Sequence, residues 1–250
     1  MFDPADDIRS SSNLTCFLEH CGAATYEELL DRSNADPDWF WSQIIDLAGI
    51  QFSKPYHTLR DVGDGPGNIR WATGATLNLT QTCLDAQIDL GLGDKAAIDW
   101  VAEDGATRSW TYSDLAEHSA RVADALASRG IGAGDAVGIY MPMIPEIAAA
   151  FLGIARLGAI AVPLFSGFSA PALAARLDDS NARAVLTVDS TPRRGKLVPM
   201  EQTLVSAIAD LPLVQTVISL RRFGGEFANS ARYLDWHETM NAADPAFPAF

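Results

Sequence analysis

Strand-like and helix-like segments alternate along the chain from Ala96 to Leu220, and this alternation restricts the possible fold more than any other feature. The sequence first predicts a hairpin, with strands over 96–101 and 107–110 joined by a turn at 103–105. Short β-branched runs then alternate with helices of about a dozen residues, which is the pattern of βαβ units. We therefore predict an α/β fold with a doubly wound, largely parallel sheet that carries helices on both faces.

The predicted helices in this region have recognisable starts and ends. Thr111 and Asp114 have the spacing of a capping box, and Gly130 is a suitable end for the helix that they begin. Pro145 suits the first turn of the next helix, and Ser169 is predicted to cap the one after it. The remaining predicted strands and helices cover residues 136–141, 145–157, 159–164, 169–179, 184–188, 200–209 and 214–220.

Residues 1–75 differ from the rest, because aromatic clusters such as Trp39–Trp41 lie among short helical patterns. We predict that they form a mainly helical N-terminal extension packed on the core, and that residues 76–250 begin a larger α/β domain. Gly63, Gly65 and Gly67 superficially resemble a dinucleotide-binding loop. We predict a simple turn there, since the sequence indicates no strand before these glycines and no helix after them.

Composition excludes several classes of protein. The hydrophobic fraction is 48% and the charged fraction 20%, which is typical of a folded chain and not of a disordered one. The formal net charge of −14 argues against nucleic acid or an anionic membrane as a partner. The most apolar stretch, 144–165, is interrupted by Glu146 and Arg156, so we predict buried core there and not a membrane span.

Cysteine usage and the N-terminus together predict a cytoplasmic protein. Cys16, Cys21 and Cys83 are odd in number and lack the spacing of a zinc site, so we predict reduced thiols. The acidic start of the chain is followed by no apolar segment of the kind that a secretory signal peptide contains.

Ligands of open α/β sheets bind at the carboxyl ends of the strands, so the loops that follow strands are the candidate sites. In the loop over 165–169, Gly167 would let a ligand approach the backbone, and Ser169 begins a helix whose N-terminus attracts anions. A strand-to-helix turn with no ligand is the alternative.

A second loop, Arg193-Arg194-Gly195-Lys196, places three cations in four positions of a chain that has only 18 Lys and Arg residues. Arginine presents a planar fork that fits phosphate oxygens, and Gly195 would permit a close turn. The alternative is a solvated loop that balances nearby acids. A third loop, Arg221-Arg222, is predicted to be a solvated turn.

Searches for acid–base and nucleophilic machinery find little. The four histidines lack metal-binding spacing, and we predict that His118 is solvent-exposed on an amphipathic helix. The chain has no G-x-S-x-G elbow and no G-x-x-x-x-G-K-[ST] loop, so it contains no recognisable motif for cleaving a nucleotide.

A series of short segments nevertheless carries a family likeness, in the order in which the family has them. Because of these segments, the chain from about Asp38 to His237 resembles the amino-terminal part of an AMP-forming acyl-CoA synthetase, in the acetyl-CoA synthetase branch of the adenylate-forming superfamily. The segments are Asn68–Trp71, Leu77–Thr80, Cys83–Asp85, Thr111–Leu115, Gly134–Val137, Tyr140–Glu146, Ala155–Ala159 and Gly167–Ser169.

This resemblance implies a two-step reaction. A carboxylate attacks the α-phosphate of ATP in the presence of Mg²⁺, and the thiol of coenzyme A then displaces AMP from the acyl-adenylate. Arg193, Arg194, Gly195 and Lys196 correspond to the family's Arg-x-Gly-Arg/Lys segment, which contacts the nucleotide end of CoA. Gly167 corresponds to a glycine along the CoA path, although Ser166 replaces the glycine that usually precedes it.

The family's phosphate loop with its lysine, its acyl pocket, its ribose-binding aspartate and its mobile C-terminal domain would all follow Phe250, and residues 240–245 resemble the approach to that loop. We therefore expect that this chain is an amino-terminal fragment that needs the remainder of the ligase polypeptide. The ATP and Mg²⁺ sites are expected outside this chain, so the chain alone is expected to be inactive. The extension suggests a short-chain acid such as acetate or propionate, and exposed apolar area could make the chain a homo-oligomer. The alternatives are a free-standing, non-enzymatic module that binds CoA or a nucleotide, and a remnant with no ligand.

Overall fold

The structure, a computed structural model, describes residues 5–224 and 231–250. Contacts along the chain divide it after Leu77 into a first unit, Met1–Leu77, and a second unit, Asn78–Phe250. The described part contains no helix that is both long enough and apolar enough to cross a membrane. Its three cysteines are free thiols, of which Cys21 is buried.

The first unit consists of four short helices followed by an antiparallel pair of strands. The helices are held together by a small apolar core in which Phe17 and Leu29 are buried and Trp39 and Phe40 pack against them. The elements are α1 (Asp6–Ser10), α2 (Asn13–Cys21), α3 (Tyr26–Ala35), α4 (Pro37–Leu47), β1 (Thr58–Asp61) and β2 (Arg70–Thr73).

The glycine-rich segment lies between β1 and β2 and forms the turn that the sequence predicts. Gly65 has φ +87° and donates its N–H to the carbonyl of Val62, and a single 3₁₀ turn follows over Pro66–Asn68. The prediction that no strand precedes these glycines is wrong, since β1 does. The strand pairs with β2 across the turn and does not lead into a βαβ unit.

The second unit is built on a five-stranded sheet in which every neighbouring pair of strands is parallel. The sheet strands are β5 (Ala136–Tyr140), β6 (Ile160–Pro163), β7 (Ala184–Val188), β10 (Thr216–Leu220) and β11 (Tyr233–Asp235). Their order across the sheet is β11-β10-β7-β5-β6. The predicted α/β fold with a parallel sheet is confirmed.

The strand order reverses direction next to β5. From β5 the chain goes outward to β6, returns to β7 on the other side of β5, and then continues to β10 and β11. Because right-handed crossovers in opposite directions place their helices on opposite faces, the sheet is covered on both sides. The loops after β5 and β7 therefore separate at their carboxyl ends and leave a crevice, which is where ligands bind in doubly wound sheets.

The helices of the second unit pack in two groups. Helix α5 (Tyr112–Ala127) contacts both α6 (Pro145–Arg156) and α9 (Trp236–Ala242), and α7 (Ala170–Asp179) contacts α8 (Met200–Ala207). β5, β7 and β10 are buried along their whole length, as expected of parallel strands covered on both faces.

The predicted helix starts are confirmed for α5 and α6 and wrong in one detail for α7, and α5 ends at Ala127, before the predicted end at Gly130. Thr111 and Asp114 form a complete capping box at the start of α5, and Pro145 opens α6. Ser169 occupies the N-cap position of α7, but its side chain makes no capping hydrogen bond.

The predicted hairpin that precedes the sheet is confirmed, and a second hairpin was not predicted. The first joins β3 (Ala96–Val101) to β4 (Thr107–Thr111). The second joins β8 (Ser190–Arg193) to β9 (Lys196–Pro199), where the sequence predicts a loop. β11 and α9 were also missed, because their few residues show no clear periodicity.

The apolar stretch over 144–165 is largely core but includes exposed side chains. Ala149, Ala150 and Ile154 of α6 have no solvent exposure, whereas Phe165 is 58% exposed. The prediction of buried core is therefore confirmed at Ile144, Ile154 and Leu164 and wrong at Phe165, which emerges at the carboxyl edge of the sheet.

Candidate functional site

A cleft of about 730 Å³ lies at the carboxyl edge of the sheet, at the point where the strand order reverses. The loops after β5, β6, β7 and β10 form its floor and walls, and the β3–β4 hairpin closes one side. The lining residues that bear on its chemistry are Trp100, Met143, Phe165, Arg193, Arg222 and Phe223. The cleft thus combines large apolar surfaces with two guanidinium groups, and the carboxylates of Glu103 and Asp104 line the part formed by the β3–β4 turn.

The β8–β9 hairpin carries the basic segment that the sequence singles out. Arg193 and Lys196 are directly paired across the two strands, and the two residues between them have positive φ, +53° for Arg194 and +72° for Gly195. Positive φ at both central positions defines a type I′ turn, whose twist matches that of a two-stranded hairpin. Gly195 adopts this conformation without the steric cost that a side chain adds.

The pairing of Arg193 with Lys196 places two cations on the same face of the hairpin. Like charges directly opposite each other across an antiparallel pair are destabilising. Within the described residues, no carboxylate forms an ion pair with Arg193, Arg194 or Lys196. The hairpin therefore presents a concentrated positive charge that an anionic ligand would stabilise.

The structure brings Gly167 and Arg193 together, although 26 positions separate them in the sequence. A Cβ atom added to Gly167 would lie 2.6 Å from Nη1 of Arg193 and 2.6 Å from Cε1 of Phe165. The Arg193 guanidinium also lies 5.7 Å from the centre of the Phe165 ring. The absence of a side chain at Gly167 therefore lets the guanidinium settle against this loop.

The other predicted site residues are beside the cleft and do not line it. Arg194, Gly195 and Lys196 are exposed on the hairpin, and of the four only Arg193 is part of the described cleft wall. The sequence pattern treats the four as a unit, whereas the hairpin geometry distinguishes Arg193 from the rest.

Asp189 organises the base of the site and was not predicted. Its side chain follows β7, is 4% exposed, and accepts main-chain N–H groups at both oxygens. Oδ1 accepts from Ser190 at 2.7 Å and from Arg222 at 3.0 Å, and Oδ2 accepts from Phe223 at 2.8 Å. This carboxylate joins the ends of β7 and β10 and orients the loops that leave them. A single buried Asp after a strand carries no motif, so sequence reasoning had no signal for it.

The prediction that Arg221 and Arg222 form a solvated turn is wrong for both residues. Arg221 donates to the buried Glu201 at 2.8 Å and its side chain is only 13% exposed. Arg222 is half-buried and lines the cleft. Burial lowers the pKa of Arg222 from its usual value, while nearby Glu146 and Asp189 oppose that change. Hydrogen bonds to Glu201 and Asp189, which are 20 or more positions away along the chain, decide these positions.

The β3–β4 hairpin is fastened to the cleft by one aromatic residue and one ion pair. The Trp100 indole N–H donates to the carbonyl of Met143 at 2.7 Å. Arg108 binds both carboxylate oxygens of Glu146, at 2.6 and 2.8 Å, and its guanidinium lies 4.9 Å from the Trp100 ring. Glu146 is 7% exposed, whereas the Arg108 side chain is 40% exposed, so solvent reaches this pair from the arginine side.

The histidines and acids of the described residues do not suggest another active site. His118 is half-buried and stacks on Trp110 with ring centres 4.3 Å apart, so the prediction that it is solvent-exposed is wrong. Burial lowers the pKa of its imidazole. The part of the chain that the structure describes holds no group of three or more His, Cys, Asp or Glu residues that could bind a metal ion.

A smaller hollow of about 440 Å³ lies between α5, β11 and α9. Asp124, Asp235 and Glu238 line it together with Arg129, so its charge disfavours an anionic ligand. The cleft at the carboxyl edge is the better candidate site.

Comparisons with known proteins identify two family models. The model described as AMP-binding enzyme matches residues 88–249, and the model described as acetyl-coenzyme A synthetase N-terminus matches residues 26–83. The first of these matches covers most of the second unit, including every residue of the cleft.

Individual relatives agree with the family models. The chain is 38% identical over 231 residues to an acetyl-coenzyme A synthetase of Halorhodospira halophila, a match that covers 92% of this chain and 36% of the relative. It is 36% identical over 240 residues to an acetyl-coenzyme A synthetase of Escherichia coli strain K12, covering 89% of this chain and 36% of the relative.

The fold also matches a solved structure, acetoacetyl-CoA synthetase from Streptomyces lividans, with a TM-score of 0.87 and 26% identity. That match covers 99% of this chain and 39% of the solved one. The chain thus spans little more than a third of the length of these proteins. It belongs to the AMP-binding enzyme family and corresponds to the amino-terminal portion of an AMP-forming acyl-CoA synthetase of the acetyl-CoA synthetase branch.

Proposed function

We propose that this chain forms the CoA-binding side of a ligase that converts a carboxylic acid, ATP and CoA into acyl-CoA, AMP and pyrophosphate. The nucleotide end of CoA lies in the cleft at the carboxyl edge of the sheet, with its phosphates against the β8–β9 hairpin. Arg193 and Lys196 supply the charge, and Gly195 and Arg194 form the turn that brings the two cations face to face.

One observation carries this proposal: Arg193 and Lys196 oppose each other as like charges, and none of the described carboxylates pairs with either. This arrangement reduces the stability of the free hairpin and is relieved by a bound phosphate. The apolar walls at Met143, Phe165 and Phe223 suit a ligand that is a phosphate ester and not a free ion. The family membership of the chain supports CoA as that ester.

Gly167 acts by leaving space. With no Cβ at this position, the Arg193 guanidinium lies against the 165–169 loop and faces the cleft from a defined direction. Ser166 keeps its side chain next to this glycine, and its carbonyl accepts a hydrogen bond from the buried Tyr140 hydroxyl at 3.3 Å. This hydrogen bond fastens the loop to the end of β5.

The chemical steps belong to the whole ligase. A carboxylate displaces pyrophosphate from ATP, and CoA then displaces AMP. We place the ATP and Mg²⁺ sites, and the groups that catalyse adenylation, in a part of the ligase polypeptide outside these 250 residues. The 250-residue chain by itself is then inactive in adenylation. In support, the matches cover only 36% of the length of each of these relatives.

The remaining assignments follow from the family and from charge. The acid is a short-chain carboxylic acid, and the partners are CoA and the remainder of the ligase, with neither nucleic acid nor membrane. We place the protein in the cytoplasm and expect that it can form a homo-oligomer. Residues 1–75 serve as an N-terminal extension packed on the core and residues 76–250 as the first part of the large α/β domain.

Calorimetric titration of the 250-residue chain with CoA tests the binding role. We expect Arg193→Gln to weaken CoA binding about ten-fold or more, because a charge-assisted hydrogen bond to phosphate is lost. Arg129→Gln, which removes the same charge at the smaller hollow, is the matched control and should bind CoA as the unchanged chain does. Equal affinities for all three proteins would contradict the proposal.

The complete ligase tests the division of labour between the two steps. We expect Arg193→Gln to raise the KM for CoA while leaving ATP–pyrophosphate exchange largely intact, since CoA enters only in the second step. Equal losses in both half-reactions would contradict a role restricted to CoA. A complete reading frame without adenylation activity but with CoA binding would instead indicate a non-enzymatic module.

A further inference from the structure

We propose that Arg222 is a second phosphate-binding residue of the cleft, acting together with Arg193 on a phosphate ester. The inference rests on the proposed function for the identity of the ester as CoA, but not for the location or chemistry of the site. Nothing in the sequence pattern distinguishes Arg222, whose neighbour Arg221 is a structural residue bound to Glu201.

The position of Arg222 supports this role. It lines the same cleft as Arg193 but comes from a different strand end, since it follows β10 whereas Arg193 ends β8. Within the described residues its guanidinium makes neither a hydrogen bond nor an ion pair, and its central carbon lies 5.2 Å from the centre of the Phe223 ring. A half-buried guanidinium in this state has donors available for a ligand.

The two carboxylates that approach Arg222 are already engaged. Each terminal nitrogen of Arg108 donates a hydrogen bond to one carboxylate oxygen of Glu146, which forms a bidentate pair. Asp189 accepts main-chain N–H groups at both of its oxygens. Burial and the nearby Arg108 lower the pKa of Arg222, and Glu146 and Asp189 oppose that change without bonding its guanidinium N–H groups. The charge is therefore compensated at a distance and remains directed to the cleft.

The backbone of Arg222 is held independently of its side chain. Its main-chain N–H donates to Oδ1 of Asp189 at 3.0 Å, and that of Phe223 donates to Oδ2 at 2.8 Å. Any residue except proline retains these bonds. Substitution of the side chain should therefore remove the ligand contact and leave the local fold in place, which makes Arg222 well suited to a direct test.

A phosphate ester is the ligand class that fits both arginines. Two guanidinium forks that approach from different strand ends can each bind phosphate oxygens in pairs, while Phe165 and Phe223 cover the apolar part of the ligand. Glu103 and Asp104 line another part of the cleft, in the turn of the β3–β4 hairpin, and would repel an anion that bound there. The phosphate is thus directed to the two arginines.

The experiment measures binding of two probes, CoA and adenosine 3′,5′-bisphosphate, to the 250-residue chain by calorimetry. We expect Arg222→Gln to weaken the binding of both probes about ten-fold or more. The affinity of Arg222→Lys should lie between those of Arg222→Gln and the unchanged chain, since lysine keeps the charge but not the planar fork. Arg129→Gln, which removes the same charge at the smaller hollow, is the control and should bind both probes as the unchanged chain does. Thermal unfolding should show the same midpoint for all variants, because the Asp189 bonds are to the main chain.

The outcomes separate this inference from the proposed function. If Arg193→Gln loses affinity and neither Arg222 variant does, the inference is overturned and the proposed function stands. If the bisphosphate binds in an Arg222-dependent manner and CoA does not bind, the inference stands and the proposed function is overturned. If neither probe binds at millimolar concentration, both are overturned. Should Arg222→Gln fail to fold, unchanged affinity of a folded Arg222→Lys would overturn the inference on its own.

Discussion

Gly167 shows how one residue without a side chain can determine the position of a charged one. The pattern of the sequence marks it as a flexible loop glycine, but a side chain there would meet Phe165 of the same loop and Arg193, which is 26 positions away along the chain. Both neighbours are the ends of side chains, so a methyl group at this position displaces them and not the backbone. The function of this glycine is therefore separable from the stability of the fold.

We expect Gly167→Ala to weaken CoA binding roughly three- to ten-fold while lowering the free energy of unfolding by less than about 1 kcal/mol, because only mobile side-chain ends must move. Gly132→Ala is the matched control, since nothing lies within 4 Å of its added Cβ and its φ is not positive. Calorimetry with CoA and urea unfolding give the two readouts. A large loss of stability without a change in affinity would contradict this account of Gly167.

Asp114 is a second residue whose role is defined by its contacts. Its carboxylate accepts the main-chain N–H and the hydroxyl of Thr111, both at 2.9 Å, and these bonds lower the pKa of Asp114 from its usual value. A lowered pKa in the folded state means that the ionised carboxylate stabilises the fold above the unfolded pKa. That stabilisation is lost as the pH falls through the folded value.

We expect Asp114→Asn to lower the free energy of unfolding by about 0.5–1 kcal/mol at pH 7, the usual cost of damage to a helix cap. The difference from the unchanged chain should shrink below about pH 5 and disappear once Asp114 is protonated. Urea unfolding at a series of pH values measures it, with Thr111→Ser, which keeps the capping hydroxyl, as a control. A difference that stays constant down to pH 3 would exclude the ionised carboxylate as the cause.

At the scale of secondary-structure elements, the β8–β9 hairpin is where sequence and structure differ most. The sequence indicates a basic loop, and the structure forms two short strands around a type I′ turn. The turn favours Asn-Gly, since both central residues have positive φ, yet Arg194 occupies the first of these positions. An arginine there costs some stability and keeps a third cation next to Arg193 and Lys196.

We expect Arg194→Asn to raise the free energy of unfolding by about 0.5–1 kcal/mol, because asparagine tolerates positive φ better than arginine does. Asn181 has the same φ of +53° in another exposed turn, so Asn181→Arg should lower the free energy of unfolding by a similar amount. Urea unfolding of both variants measures the two changes in the free energy of unfolding. Changes of the same sign would contradict this explanation.

The same Arg194→Asn variant should weaken CoA binding by no more than about two-fold, because an exposed charge outside the cleft wall acts only through a screened field. A loss as large as that of Arg193→Gln would instead place Arg194 in direct contact with the ligand.

At the scale of the whole molecule, the candidate site belongs to one of the two units. All residues that line the cleft lie between Trp100 and Phe223, in the unit that begins at Asn78. The apolar core beneath the cleft is formed by residues of that unit alone, and the core of the helical unit is separate. The second unit therefore contains both the site and the packing that supports it.

We expect a chain of residues 78–250 to bind CoA with an affinity within about two-fold of that of the 250-residue chain, since a unit with its own core retains its structure. Circular dichroism establishes that the shorter chain is folded, and calorimetry gives the affinity. A folded 78–250 chain that fails to bind CoA would show that residues 1–77 contribute to the site.

The sequence by itself determined the fold class, because periodicity, caps and turn residues are local properties. The alternation of β-branched runs with amphipathic helices, the capping box at Thr111 and the first-turn Pro145 are all present in the structure where the pattern predicts them. The cluster at Arg193–Lys196 was also visible, since its charge stands out in an acidic chain.

Only the tertiary structure decided which residues share the cleft. The contact of Gly167 with Arg193, the buried carboxylate of Asp189 and the different environments of Arg221 and Arg222 join parts of the chain that are 20 or more positions apart. Such contacts follow from strand order and from the packing of loops at the carboxyl edge of the sheet. Local sequence patterns carry no information about either, because the same strands in another order would bring different loops together.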